Sequence, residues 1–333
     1  MMVVLALLCA APPLPTPPAG LSRLTWEAER ITPTLRSPLA KAFVSKVPEL
    51  PAPGARTLYR SADKQRYLTE AAWRGLGTDE QKSWTPQPID ELSYYTTRYG
   101  TPLSYARPLE ILGEHGVKTV AGQKILDFGY GYVGHLRLLA ALGADVHGVD
   151  VDPMLAALYS EPRDTGVIPS RSGPSGRVTL HQGRFPTESA LVQAVGREYQ
   201  LIISKNVLKR GYIHPERPAD PKHLIDLGVS DEVFLAAMFR ALSPGGKLLI
   251  FNICPAMAPP DRPFIPWADG RSPFSKEAWQ KAGFKILRFD EVDTAAVRAQ
   301  GRTLGWDLPE DGEPGMDLER DLFAWYTLVE KPR

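Results

Sequence analysis

A chain of 333 residues with 43% hydrophobic content can bury one large core, and its 39 basic against 38 acidic residues leave a formal charge of only +1. That balance excludes the basic footprint of a general nucleic-acid binder. The apolar run at 1–11 is too short to span a bilayer as a helix.

The first twenty residues read as an apolar, proline-rich leader, either a signal peptide or a disordered tail. The apolar run is followed by a proline-rich stretch at 12–18, and it has about the length of a secretory h-region but lacks a basic n-region. Only Cys9 and Cys254 are present, so no intrachain disulfide is available once such a leader is removed. Residues 21–88 show no βαβ pattern; 24–46 and 61–76 read as mostly helical, separated by the breaker-rich 48–54, which predicts a helical cap. Tyr94, Tyr95, Tyr99 and Tyr105 then crowd around Arg98 and Arg107. Two readings stand open: Tyr99 or Arg98 contacts a ligand, or the tyrosines pack the cap on the following domain with their hydroxyls at the rim.

The richest stretch is 124–153. Ile125, Leu126 and Phe128 form the apolar run of a strand buried in a parallel sheet, and Gly129, Gly131 and Gly134 remove Cβ atoms from the turn that follows. Leu136, Leu138, Leu139 and Leu142 recur at helical spacing, Gly143 stops the helix, and 146–149 is a second strand ending at Asp150. An acid at that point, about 20 residues after the glycine turn, accepts hydrogen bonds from ribose hydroxyls in open α/β nucleoside sites. The glycine spacing is also that of the dinucleotide fingerprint, in which a helix N-terminus faces a pyrophosphate. Asp127 argues against it, because a carboxylate two residues before the first glycine repels a pyrophosphate. It suits a tail bearing an ammonium and a sulfonium, as in S-adenosylmethionine.

Further along, 177–181 reads as a third strand, 199–204 as a fourth, and 230–242 as a helix capped by Ser230 with Asp231 and Glu232 in its first turn. Leu242, Ser243, Pro244, Gly245 and Gly246 make a tight exit into a strand over 247–253. A DxGxG turn after strand one, an acid after strand two and an LxPGG turn before strand five, in this order, resemble the class I S-adenosylmethionine-dependent methyltransferases. The likeness extends over 94–331, with a helix at 275–282, strand six at 284–289 and a final antiparallel strand at 323–329.

The resemblance implies a three-layer Rossmann-like α/β methyltransferase fold: a mostly parallel seven-stranded sheet with an antiparallel last strand, over 89–333, behind the N-terminal helical cap. It implies S-adenosyl-L-methionine as cofactor and methyl transfer to a small-molecule or peptidyl acceptor. Gly129 and Gly131 would admit the cofactor tail, Asp127 would hold its amino group directly or through water, Asp150 the ribose, and Val151 one adenine face. Gly134, Arg184 and Phe185 after strand three, Ser204 and Asn206 after strand four, and Tyr99 complete the expected contacts. Two positions depart from the family pattern: Val133 stands where a small residue is usual, and Arg184 where an acid often follows strand three. The asparagine, proline, proline, aromatic motif of amino methyltransferases is absent.

Residues 205–227 form a long polar connection, of the kind that carries ligand contacts at the carboxyl end of a parallel sheet. Within it His214 is the candidate general base, while His214, His223 and Asp220 have no metal-site spacing. Two rival functions remain, a nicotinamide-dependent oxidoreductase and a non-catalytic exported binding protein with the same fold. Cofactor supply favours the cytoplasm, and a working leader favours export.

Overall fold

The computed structural model describes residues 17–97, 100–310 and 312–333. The expected leader therefore falls almost entirely outside the described residues, as do Arg98 and Tyr99.

Helices α1 (Ser22–Ile31) and α2 (Pro38–Ser45) open the fold, as their periodicity predicts. Ser37 caps α2 through its Oγ, and the buried Glu110 accepts from the Arg36 and Ser37 amides, so a carboxylate from the later helix Ala106–Glu114 fixes the start of α2. The second half of the cap differs from expectation. Strands β1 (Arg56–Ser61), β2 (Tyr67–Thr69) and β3 (Trp84–Ile89) form an antiparallel sheet in the order β2-β1-β3, and only α3 (Glu70–Arg74) and α4 (Thr78–Gln81) are helical there. The stacking of Trp73 on Tyr59, rings 4.1 Å apart, closes α3 onto β1.

From α5 (Ala106–Glu114) the chain enters the main sheet through β4 (Lys124–Phe128), α6 (Gly134–Ala140), β5 (Asp145–Asp150), α7 (Pro153–Leu158), β6 (Gly166–Ile168) and β7 (Gly176–Gln182). It continues with α8 (Ser189–Val195), β8 (Tyr199–Lys205), α9 (Arg210–Ile213), α10 (Asp231–Ala241) and β9 (Leu242–Cys254). The last elements are α11 (Lys276–Lys281), β10 (Lys285–Val292), α12 (Thr294–Thr303), α13 (Leu318–Asp321) and β11 (Phe323–Glu330).

The sheet runs β10-β11-β9-β8-β4-β5-β7-β6. β4, β5, β7, β8 and β9 pair in parallel, and β11 lies antiparallel between β9 and β10. The three-residue β6, antiparallel on the β7 edge, makes the sheet eight-stranded instead of seven. One face is covered by α1, α2, α5, α6 and α12, the other by α8, α10 and α11, giving three layers and two apolar cores. Helix α6 is buried at every residue, because sheet and cap enclose it from both sides.

The cap is anchored by buried charge. Arg56 makes a bidentate pair with Asp164 at 2.8 and 2.7 Å, and the Tyr94 hydroxyl donates to the same carboxylate at 2.8 Å. Tyr95 donates to the Pro51 carbonyl, and the Tyr159 hydroxyl donates to Tyr94 O while accepting from Val133 N. Tyr94, Tyr95 and Tyr105 are buried, so these three pack the cap onto the domain.

On the opposite face, His147 Nδ1 and His181 Nε2 lie 2.9 Å apart, joined by one hydrogen bond. Burial, His147 and Lys124 lower the His181 pKa to about 4, and burial lowers that of His147. An unfolded His titrates near 6.5, so the unfolded chain takes up the proton first. The contribution of the pair to stability is therefore full above pH 6.5 and lost as pH falls from there toward 4. Thermal melts at stepped pH should show this loss, and His181→Gln should flatten it; an unchanged acid limb in the variant would exclude the pair as its source.

Candidate functional site

The crevice forms where the strand order reverses, between the carboxyl ends of β4 and β8. The turn after β4 is tied down from β5: Gly129 N donates to Val149 O at 2.8 Å and Gly131 N to Asp150 Oδ2 at 3.0 Å. Both glycines have positive φ, +75° and +62°. Their surroundings differ. A Cβ on Gly129 would come within 2.3 Å of Val207, whereas a Cβ on Gly131 would meet nothing within 4 Å. Gly129 thus allows the chain after β8 to pass close to the turn, and Gly131 borders open space.

Asp150 ends β5 with Oδ1 accepting from Asp152 N at 3.0 Å. Burial raises its pKa, and the amides of Asp152 and Gly131 partly offset this. Beside it lies a cavity of about 340 Å³, within the usual size of small-molecule pockets. Phe128, Val149, Val151, Phe185 and Val207 give it apolar walls, and Leu224 to Leu227 close its far side. Val151 is 60% exposed, an apolar side chain left open at the mouth. Arg184 borders the cavity and pairs with Asp226 at 3.3 Å across the rim.

The expected residues thus divide. Gly129, Asp150, Val151, Arg184 and Phe185 line one cavity, with Gly131 at its edge. Six others stand elsewhere or are not described. Asp127 is 0% exposed, turned beneath the turn, where its Oδ2 accepts from His135 Nε2 at 2.9 Å. Gly134 serves packing, since a Cβ there would crowd Pro102 at 3.1 Å and Tyr95 O at 3.3 Å. Ser204 is buried and donates to Phe128 O at 3.0 Å. Asn206, at φ +67°, uses its Oδ1 to accept from Ile253 N, joining the ends of β8 and β9. Tyr99 lies outside the described residues. His214, the expected base, is on the surface with both Asp231 carboxylate oxygens at 2.9 and 3.0 Å, and it does not border the cavity.

The sequence placed ligand contacts in the connection 205–227 without singling out Val207 and 224–227 as walls, and it did not reveal a buried cluster beneath the turn. There the Tyr105 ring stacks on His135 at 3.6 Å, and Lys205 Nζ lies 5.5 Å from the centre of the Tyr105 ring. The available signal was Lys205 itself, a charge closing an otherwise uncharged strand. Among the described residues no three His, Cys, Asp or Glu side chains form a metal-binding group, and no helix is long and apolar enough to cross a membrane.

A parallel sheet reversing at β4 and β8, a glycine turn tied to an acid at the end of β5, and an antiparallel strand inserted beside β9 together define a fold. This is the architecture of the class I S-adenosylmethionine-dependent methyltransferases, and the chain has that fold. Among solved structures it is similar to phosphoethanolamine N-methyltransferase 2 of Haemonchus contortus, at 14% identity and a TM-score of 0.41 over 84% of this chain and 68% of that one. It is similar also to an S-adenosylmethionine-dependent methyltransferase of Mesorhizobium loti, at 17% identity and a TM-score of 0.37 over 68% and 97% of the two chains. A third is the arsenic(III) S-adenosylmethionine methyltransferase of Chlamydomonas reinhardtii, at 19% identity and 0.33 over 64% of each chain. No family model and no curated protein matches the sequence.

Proposed function

We propose that the chain binds S-adenosyl-L-methionine at the β4 to β8 crevice and transfers its methyl group to a small-molecule or peptidyl acceptor. The observation that carries this reading is Asp150. Its carboxylate holds the glycine turn with one oxygen and the start of the next segment with the other, beside an apolar slot sized for a base. Ribose hydroxyls would donate to Asp150, and the base would lie between Val151 and Val207 with Phe185 at its edge. The bound sulfonium supplies an activated methyl, so the protein's work is positioning and water exclusion. The acceptor would enter past the loops after β8 and β9. These are clasped by Arg217, whose guanidinium donates to the carbonyls of Ala258, Pro259, Pro260 and Arg262.

The oxidoreductase reading needs a pyrophosphate against the N-terminus of α6. That terminus is covered by Tyr95 and Pro102, both against Gly134, and the sheet carries the inserted antiparallel β11. Thermal shift decides between the two. S-adenosylhomocysteine at about 100 times its dissociation constant stabilises by about 2.7 kcal/mol, and NAD should leave the melting temperature unchanged. Stabilisation by NAD alone would reverse the assignment.

A further inference from the structure

Lys205 ends β8 at only 9% exposure. Asp127 lies opposite Ile203 in the β4 to β8 pairing, so Lys205 is level with Gly129, two residues further along each strand. The chain stays against the turn from there. Ser204 Oγ donates to Phe128 O, and Val207 fills the space a Cβ on Gly129 would need. The alternation of β4 and β8 puts Lys205 on the same side as Asp127, beneath the turn.

The groups facing Lys205 are Tyr105 from the segment before α5, Asp127 from β4 and Lys209 after β8, with His135 from α6 behind Tyr105 and Asp127. Most are already engaged. Asp127 Oδ2 accepts from His135, and Lys209 Nζ donates to Ile253 O at 2.6 Å and Trp267 O at 3.2 Å. Lys205 Nζ donates to no acceptor among the described residues and lies over the face of the Tyr105 ring. Burial, then Lys209, lower its pKa to about 8, while Asp127 acts to keep it charged. A desolvated ammonium with no acceptor is costly, and a carboxylate brought in by a ligand relieves that cost.

We propose that Lys205 is the counter-ion for the carboxylate of the donor's amino-acid tail, reached past the glycine turn, with Asp127 behind it maintaining its charge. The assignment rests on the donor reading above, and two ligands separate them. S-adenosylhomocysteine carries the tail; 5'-methylthioadenosine has the same nucleoside without it.

Calorimetry on the full chain and on Lys205→Met should show about tenfold or greater loss of affinity for S-adenosylhomocysteine. Affinity for 5'-methylthioadenosine should stay within about twofold, and Lys205→Arg should recover part of the loss. Should the methionine variant fail to fold in a melting check, Lys205→Gln carries the same comparison. A bound carboxylate raises the lysine pKa, so above pH 8 the wild type should take up a proton with S-adenosylhomocysteine, read from the dependence of heat on buffer ionisation, and Lys205→Met should not. Undiminished affinity for S-adenosylhomocysteine in the variant, or equal weakening of both ligands, overturns the assignment. If neither ligand binds the wild type, the donor reading itself has failed and this assignment falls with it.

Discussion

Gly131→Val is expected to abolish binding of S-adenosylhomocysteine, by more than about 100-fold, while the protein still folds. Gly131 sits at φ +62°, where an L-residue costs about 1 to 2 kcal/mol, and valine is worse than most because its branched Cβ restricts it further. Nothing in the fold lies within 4 Å of the new Cβ, so no packing is disrupted beyond that strain. The side chain instead occupies the space beside Asp150 that a ligand would use. Gly129→Val makes the contrast: at φ +75° its Cβ would come within 2.3 Å of Val207, adding overpacking of about 1 to 3 kcal/mol to the strain. It should lose stability as well as binding. Circular dichroism melts alongside calorimetry separate the two effects, and retained binding in a folded Gly131→Val protein would show that the ligand does not approach this turn.

The glycine turn was legible because its determinants are local. The apolar run before it, the positive-φ glycines and the acid that ends β5 all lie within 124–153, and the hydrogen bond from Gly131 N to Asp150 joins residues in that one unit. The Ser230 cap was legible for the same reason: its Oγ accepts from Val233 N, three residues on. Asp127 shows the limit. Both faces of β4 are buried, so alternation alone cannot say whether Asp127 points to the crevice or, as found, toward α6 and His135. The sheet in the cap was hidden because β1 buries only Leu58 and Ser61 and β2 has three residues; such strands are defined by their pairing partners and not by their own pattern. The walls at 224–227 and the pairing of His214 with Asp231 are set by how the connection after β8 folds back on the domain. No spacing rule encodes that return.

Asp150→Ala should weaken S-adenosylhomocysteine by about 10- to 100-fold, because a ribose hydroxyl bonded to a charged acceptor contributes about 1.5 to 3 kcal/mol. Stability should change much less. Burial holds the Asp150 carboxyl above the ordinary carboxylate range, so its ionised form is only partly compensated by the amides of Asp152 and Gly131, and those amides border a crevice that water can enter. The same imbalance gives affinity a pH dependence with a definite sign. Ribose hydroxyls donating to Asp150 favour its ionised form, so the pKa in the complex lies below that of the free protein. Affinity is therefore full above the free-protein pKa and declines as pH falls through it, with protons released on binding in that interval. Calorimetric titrations from pH 7.5 downward should show this acid limb in the wild type and lose it in Asp150→Ala, while adenine alone, which carries no ribose, should show none in either protein. Wild-type affinity in a folded Asp150→Ala protein, or an acid limb that survives the substitution, would place the ribose away from β5 and leave the turn without the acid that ties it to the nucleoside.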